Sequence, residues 1–247
     1  MQILYDNNVF DAAIDSSTEH PEFTFSSALI DRRLSRVGRT LDVDDQWIKF
    51  SFTAAIAVTH IAILNHNFTS SAVVTIEANT SDSWTTPAFS HVCTIADEII
   101  CNDGSTHSYQ YWRITIDDPT NTNTYLELAY VYLGGHADFP YYDTTPAFGW
   151  ISTAEASQSA SGQLYGDKRI QLKTVETTHP DVNQTDLDAI IAFFESMDKV
   201  TPFILLLAED SLDVYHPLYC FLTNDISATK ESNALTYNLK LSFRECR

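Results

Sequence analysis

Basic residues are scarce in this chain. Fourteen Lys and Arg stand against 33 Asp and Glu, a formal net charge of −19 over 247 residues. A phosphate backbone or an anionic membrane surface is bound by Lys and Arg, so the balance argues against both as partners of the whole chain. Glycine is also scarce, with only 7 residues. None of them builds a phosphate-cradling loop, and Gly134-Gly135 reads as a strand exit. GxSxG, HExxH and CxxC patterns are all missing. The eight histidines, among them His60 and His66, form no compact group with carboxylates. Cys93, Cys101, Cys220 and Cys246 lack zinc-finger spacing. No apolar run approaches the ~20 residues of a membrane span, and Phe203 to Ala208 is only strand-length. The amino terminus carries Asp6, Asp11, Asp15 and Glu19 with no basic stretch before an apolar one, so no secretory leader is expected and folding in a cytoplasm is. In that reducing compartment Cys93 and Cys101, which flank Thr94 to Ile100, are expected as free thiols. With no catalytic constellation in view, neither an enzyme nor a cofactor is expected.

What is present is the material of a folded, mainly β protein. Hydrophobic residues make up 44% of the chain and aromatic residues 12%, far above a disordered composition. From Tyr109 to Gly135 two strands are legible. Tyr111, Arg113 and Thr115 alternate with Trp112, Ile114 and Ile116, and then Leu126, Leu128, Tyr130 and Tyr132 alternate with Glu127, Ala129, Val131 and Leu133. Asp117-Asp118-Pro119 ends the first, since proline has no N–H for a ladder, and the pair reads as a β-sandwich hairpin. Many short strands between Asn, Ser, Thr and Asp turns predict an all-β sandwich over residues 1–142. Residues 143–161, rich in Ser, Ala and Thr, read as a linker or extended arm that Phe148, Trp150 and Ile151 could dock. Residues 162–247 form a second domain. There a helix is predicted near residues 184–200, with Thr185 as N-cap and Leu187, Ile190, Ile191 and Phe194 as its buried stripe. A final strand turns Leu235, Tyr237, Leu239, Leu241 and Phe243 to one side.

The segment from Tyr109 to Gly135, together with the opening residues 1–14, Ser26 to Thr40, Trp47 to Phe52 and Ala57 to Trp84, resembles the galactose-binding-like jelly rolls of tailed-phage virion proteins. The strand, helix and three antiparallel strands of residues 162–245 resemble the tail-tube-like domain of phage distal tail and tube proteins. The resemblance implies a jelly roll followed by a tail-tube-like antiparallel β-sandwich with one α-helix, although distal tail proteins commonly have the two domains in the opposite order. It implies a distal-tail or baseplate component of the virion tail tip, made in the host cytoplasm. Copies of such a protein form a ring, of about six, that joins tube, hub and fibres. Genome DNA would pass through without specific binding, and no membrane partner is implied.

Candidate residues follow from chemistry. Sugars are bound by aromatic faces and polar loops, and Trp84, Tyr141 and Tyr142 lie in turn-like surroundings, where they serve equally as glycan or subunit contacts. Trp112, mid-strand, reads as core. Arg32, Arg33, Arg36 and Arg39 are the one basic concentration; they either satisfy carboxylates of the same chain or receive an acidic face of a neighbouring copy. Asp117 and Asp118 form either an ordinary turn or part of a calcium site. The preferred reading is a structural protein of the tail tip; the alternative is a carbohydrate-binding module for adhesion to a host surface.

Overall fold

The computed structural model describes residues 1–139, 146–207, 217–230 and 236–247. They form two compact units, one of residues 4–137 and one of residues 1–3 with 138–246. The amino-terminal strand Gln2–Leu4 therefore belongs to the sheet of the carboxy-terminal unit. The sequence-based boundaries fell at residues 142 and 161.

The first unit is a two-sheet antiparallel sandwich. One sheet runs in the order Ala13–Ser16, Gln46–Val58, His107–Asp117, Val73–Asn79, Phe89–Val92. The other runs Gly38–Arg39, Glu127–Gly134, His60–His66, Ile99–Cys101. Alternation decides which side chains go inside. Ile48, Phe50, Trp112, Ile114, Ile116, Val74 and Ile76 from the first sheet meet Ile61, Ile63, Ile99, Leu128, Val131 and Leu133 from the second in one core. Trp112 is thus core, as its mid-strand position predicts. The Glu127–Gly134 strand is buried on both faces, because the amino-terminal segment covers its outer side. Asn7 and Asn8 donate side-chain hydrogen bonds to the carbonyls of Val131 (2.8 Å) and Leu133 (2.9 Å), and Phe10 meets Tyr130 edge-on. That burial pushes the Tyr130 phenol up to about 12.

Two expectations are corrected here. The strands of the Tyr109–Gly135 segment do not pair with each other. Both edges of His107–Asp117 are taken by Gln46–Val58 and Val73–Asn79, so the chain crosses to the other sheet. Asp118, fully buried, pins this crossing. Its carboxylate accepts from the Thr69 N–H (2.8 Å), the Thr69 hydroxyl (2.5 Å) and the Asn121 side chain (3.1 Å). With those donors in place, Asp118 is a hydrogen-bonded turn residue, and among the described residues no three His, Cys, Asp or Glu gather as metal ligands. Nor are Cys93 and Cys101 free. They form a disulfide with Cα atoms 5.7 Å apart. Cys93 continues the Phe89–Val92 edge strand, its N–H bonded to the Val74 carbonyl, and Cys101 lies in the edge strand of the opposite sheet. Both sulfurs point into the core, so the bond links the two sheets.

The carboxy-terminal unit is built on one eight-stranded sheet. Its order is Ala137–Asp138, Gln2–Leu4, Phe203–Leu206, Leu218–Leu222, Tyr237–Glu245, Gln171–Val182, Ala147–Ser152, with Thr229–Lys230 also pairing Tyr237–Glu245. Leu239, Leu241 and Phe243 are buried as their alternation predicts, while Leu235 lies outside the described residues. The helix spans Gln184–Met197. Its N-cap is Asn183, not Thr185, because the Asn183 side chain accepts from the Asp186 N–H at 2.9 Å. Its buried stripe is Leu187, Ile190, Phe193 and Met197, while Ile191 is exposed and Phe194 only half-buried, so the face against the sheet is centred about a residue away from the expected stripe. Phe193 seats the helix on the sheet through edge-on contacts with Phe139 (5.2 Å) and Phe203 (5.0 Å). The stretch read as linker holds the sheet strand Ala147–Ser152 and one arm of a two-stranded ribbon, Ala156–Gln158 with Leu164–Gly166. Among the described residues no helix is long and apolar enough to cross a membrane.

The inter-sheet disulfide generates a test. Closing so short a loop restricts the unfolded chain by about 2–3 kcal/mol. Cys93→Ser, or reductant added to the native protein, is expected to lower the melting temperature of the sandwich by several degrees. An unchanged melt on reduction would show that the bond contributes nothing.

Candidate functional site

One fixed polar arrangement at the sandwich surface is centred on Arg39. The short strand Gly38–Arg39 pairs antiparallel with Glu127–Leu128 and places Arg39 directly opposite Glu127. Only glycine permits this approach, since a Cβ at Gly38 would collide with the Phe25 ring. The Arg39 N–H donates to the Phe23 carbonyl and its own carbonyl accepts the His20 N–H, each at 2.8 Å. The side chain is held as firmly. Nε donates to Glu127 Oε2 at 2.8 Å, and the guanidinium carbon lies 4.1 Å from the Phe23 ring centroid and 4.7 Å from that of Tyr125. His20 leans on Phe23, ring centroids 5.1 Å apart.

Tyr125 and Glu127 are fixed from behind by a polar relay. Asn121 Nδ2 donates to the Asn67 carbonyl (2.9 Å), Asn67 Nδ2 donates to the Tyr125 carbonyl (2.9 Å), and Asn67 Oδ1 accepts the Glu127 N–H (2.9 Å). The Arg39 side chain remains 28% exposed. Neither Nη group has a hydrogen-bond partner among the described residues. A planar cation is thereby fixed in orientation while its outer edge keeps donors for a ligand.

A second arginine–aromatic assembly lies on the outer face of the five-stranded sheet. Asp15, Lys49, Arg113 and Glu77 stand side by side across four strands. Arg113 binds Glu77 through Nε (2.8 Å) and Nη2 (2.5 Å), and Lys49 binds Asp82 (2.9 Å) and Asp15 (3.4 Å). Trp84 is drawn onto this row. Its indole N–H donates to Asp82 at 2.8 Å and its ring lies 4.5 Å from the Arg113 guanidinium carbon. The Lys49 hydrogen bond, aided by that of Trp84, holds the Asp82 carboxyl below the usual range. Trp84 thus has its N–H and one ring face engaged within the chain.

The other proposed residues separate. Arg33 and Arg36 fold onto Asp31 at 2.6 and 3.2 Å, and the Arg33 hydrogen bond holds that carboxyl well below its ordinary range. Arg32 lies over the Phe10 ring at 4.7 Å. The four arginines therefore serve three different surroundings, each with contacts inside the chain. Tyr141 and Tyr142 lie outside the described residues.

Sequence reasoning missed a histidine group at the far end of the sandwich. His107 pairs with Asp103 (2.8 Å) and packs on Phe89 (4.0 Å), while His60 and His136 both contact the Thr59 hydroxyl. The adjoining cavity of about 10 Å³ has room for a single water. In the carboxy-terminal unit the strand–ribbon arm exposes Trp150 (60%), Leu164 (72%) and Tyr165 (56%), and Tyr165 lines an open concavity of about 560 Å³ with Glu155, Asp167 and Arg169.

No protein-family profile and no curated protein matches the chain. Solved structures similar to it include the family 32 carbohydrate-binding module of C. perfringens NanJ in complex with galactose, at 16% identity over 54% of this chain and 98% of that one, TM-score 0.42. The lectin domain of lectinolysin complexed with Lewis B antigen is similar at 13% identity over 54% of this chain and all of that one (100%), TM-score 0.43. A Streptococcus pneumoniae fucose-binding module is similar at 13% identity over 52% of this chain and 94% of that one, TM-score 0.41.

The Trp84–Arg113 contact is open to measurement. In a double-mutant cycle with Trp84→Ala and Arg113→Ala, denaturant unfolding is expected to give a coupling of about 0.5–1 kcal/mol. Strict additivity would mean that the stacking is energetically empty.

Proposed function

We propose that the β-sandwich is a non-catalytic glycan-binding module acting in adhesion to a host surface. The observation that carries this reading is the Arg39 clamp. It is a surface cation fixed by two aromatic rings, a carboxylate and its own backbone, with outward donors left over. Sugars present acceptor oxygens in fixed directions, and a preset donor fork binds them without first paying side-chain entropy. Trp84 belongs to a separate surface, and its role in this reading is that of a folded-sheet residue. On a glycan array the purified chain is expected to bind a restricted set of sugars, with Arg39→Ala abolishing binding and Trp84→Ala leaving it. A well-folded chain that binds no sugar would overturn the reading.

A second reading rests on the exposed apolar arm. Trp150, Ile151, Leu164, Tyr165 and Ile170 are all left to solvent by the single chain, a pattern common at protein–protein contacts. Together with the resemblance of the sequence to tailed-phage tail proteins, this supports a structural component of the tail tip. Copies would form a ring of about six around the DNA channel, bound to tube, hub or fibres. The net charge of −19 supports a lumen to which DNA does not adhere. Electron microscopy of the purified chain is expected to show closed annuli in this case. Monomers at every concentration, or a channel lined by Lys and Arg, would remove it.

A further inference from the structure

We infer that the ligand read by Arg39 is an acidic sugar, bound through its carboxylate. This rests on the glycan-binding reading above and names the chemical class it would take. The geometry points there in three steps. First, the rings of Phe23 and Tyr125, which would otherwise stack on the apolar face of a neutral sugar, each turn a face to the guanidinium. Second, Glu127 takes the Nε–H, so the edge of the guanidinium that remains is the one carrying Nη1 and Nη2. Two parallel N–H groups from that edge match the two oxygens of a carboxylate, whereas a hydroxyl accepts only one such bond, and more weakly. Third, the same rim holds a further donor. His20 Nδ1 accepts the Glu22 N–H at 3.2 Å, which leaves Nε2 as the protonated nitrogen of the neutral ring.

The site is also rigid enough to discriminate. Arg39 cannot swing to follow a poorly placed acceptor without losing the Glu127 bond and both ring contacts. The negative charge of the whole chain works against an anionic ligand at long range. At physiological ionic strength that field is screened within about 8 Å, while the fork acts at contact distance.

The test uses the intact chain and isothermal titration with two probes, trigalacturonate and the neutral galactose trisaccharide of the same linkage. Trigalacturonate is expected to bind at least about tenfold more tightly than the neutral trisaccharide. Arg39→Lys, which keeps the charge and loses the fork, is expected to weaken trigalacturonate much more than the neutral sugar and so to remove most of that preference. If Arg39→Lys lowers the melting temperature sharply, Glu127→Gln serves instead, because it keeps an acceptor for Nε and removes the carboxylate that neutralises Arg39 and repels an anionic ligand; it is expected to raise the preference, and an unchanged or lower preference would overturn the assignment. Equal binding of both trisaccharides would overturn the carboxylate assignment and leave the glycan-binding reading standing. Binding of neither, by a chain that melts cooperatively, would overturn both. A hexaglutamate peptide binding as tightly as trigalacturonate would overturn the assignment to a sugar.

Discussion

The sandwich turns on one buried charge. Asp118 sits where the chain leaves one sheet for the other, with no exposure to water. A carboxylate in that position would cost several kcal/mol if left alone. The Thr69 N–H, the Thr69 hydroxyl and the Asn121 amide offset that cost, and in doing so fix two loops against each other. From there the order spreads outward. Asn121 holds Asn67, Asn67 holds the backbone at Tyr125 and Glu127, and those two residues hold Arg39. The surface cation is therefore rigid because an interior anion is, and the path between them is a chain of side-chain-to-backbone hydrogen bonds.

Legibility in the sequence followed the range of each interaction. Alternation along Trp112, Ile114 and Ile116, and along Leu239, Leu241 and Phe243, needs only period two, and both strands bury the residues that the pattern selects. The helix is likewise evident, but its start is not. Asn183 and Thr185 are both competent caps, and only the backbone turn that the preceding strand imposes chooses between them. Whether two adjacent strands pair or part depends on what else claims their edges, which no local pattern records. The disulfide was left undecided for the same reason, since the seven intervening residues fit a hairpin or a bridge between sheets.

The candidate site was half legible. Arg39 stood out as one of four clustered arginines, yet adjacency in sequence did not make them a patch. They find three different partners, with Arg33 and Arg36 sharing Asp31, and the one in the proposed site is 88 residues from its carboxylate. Phe23 and Tyr125 carried no signal at all as isolated aromatics. They acquire meaning only when the short strand at Gly38 brings the guanidinium onto their faces. Trp84 shows the converse: a tryptophan between strands looked available, and neighbouring strands had already engaged it.

The place of Gln2–Leu4 beside Phe203–Leu206 has a consequence for biosynthesis. Gln2–Leu4 is translated long before Phe203–Leu206, the strand that flanks it on one side. Vectorial maturation can complete the sandwich early, but the larger sheet must wait for Phe203–Leu206 before the Gln2–Leu4 strand is flanked on both sides. Until that pairing forms, the waiting Gln2–Leu4 strand and the Phe203–Leu206 edge each present unpaired backbone groups that another strand could take.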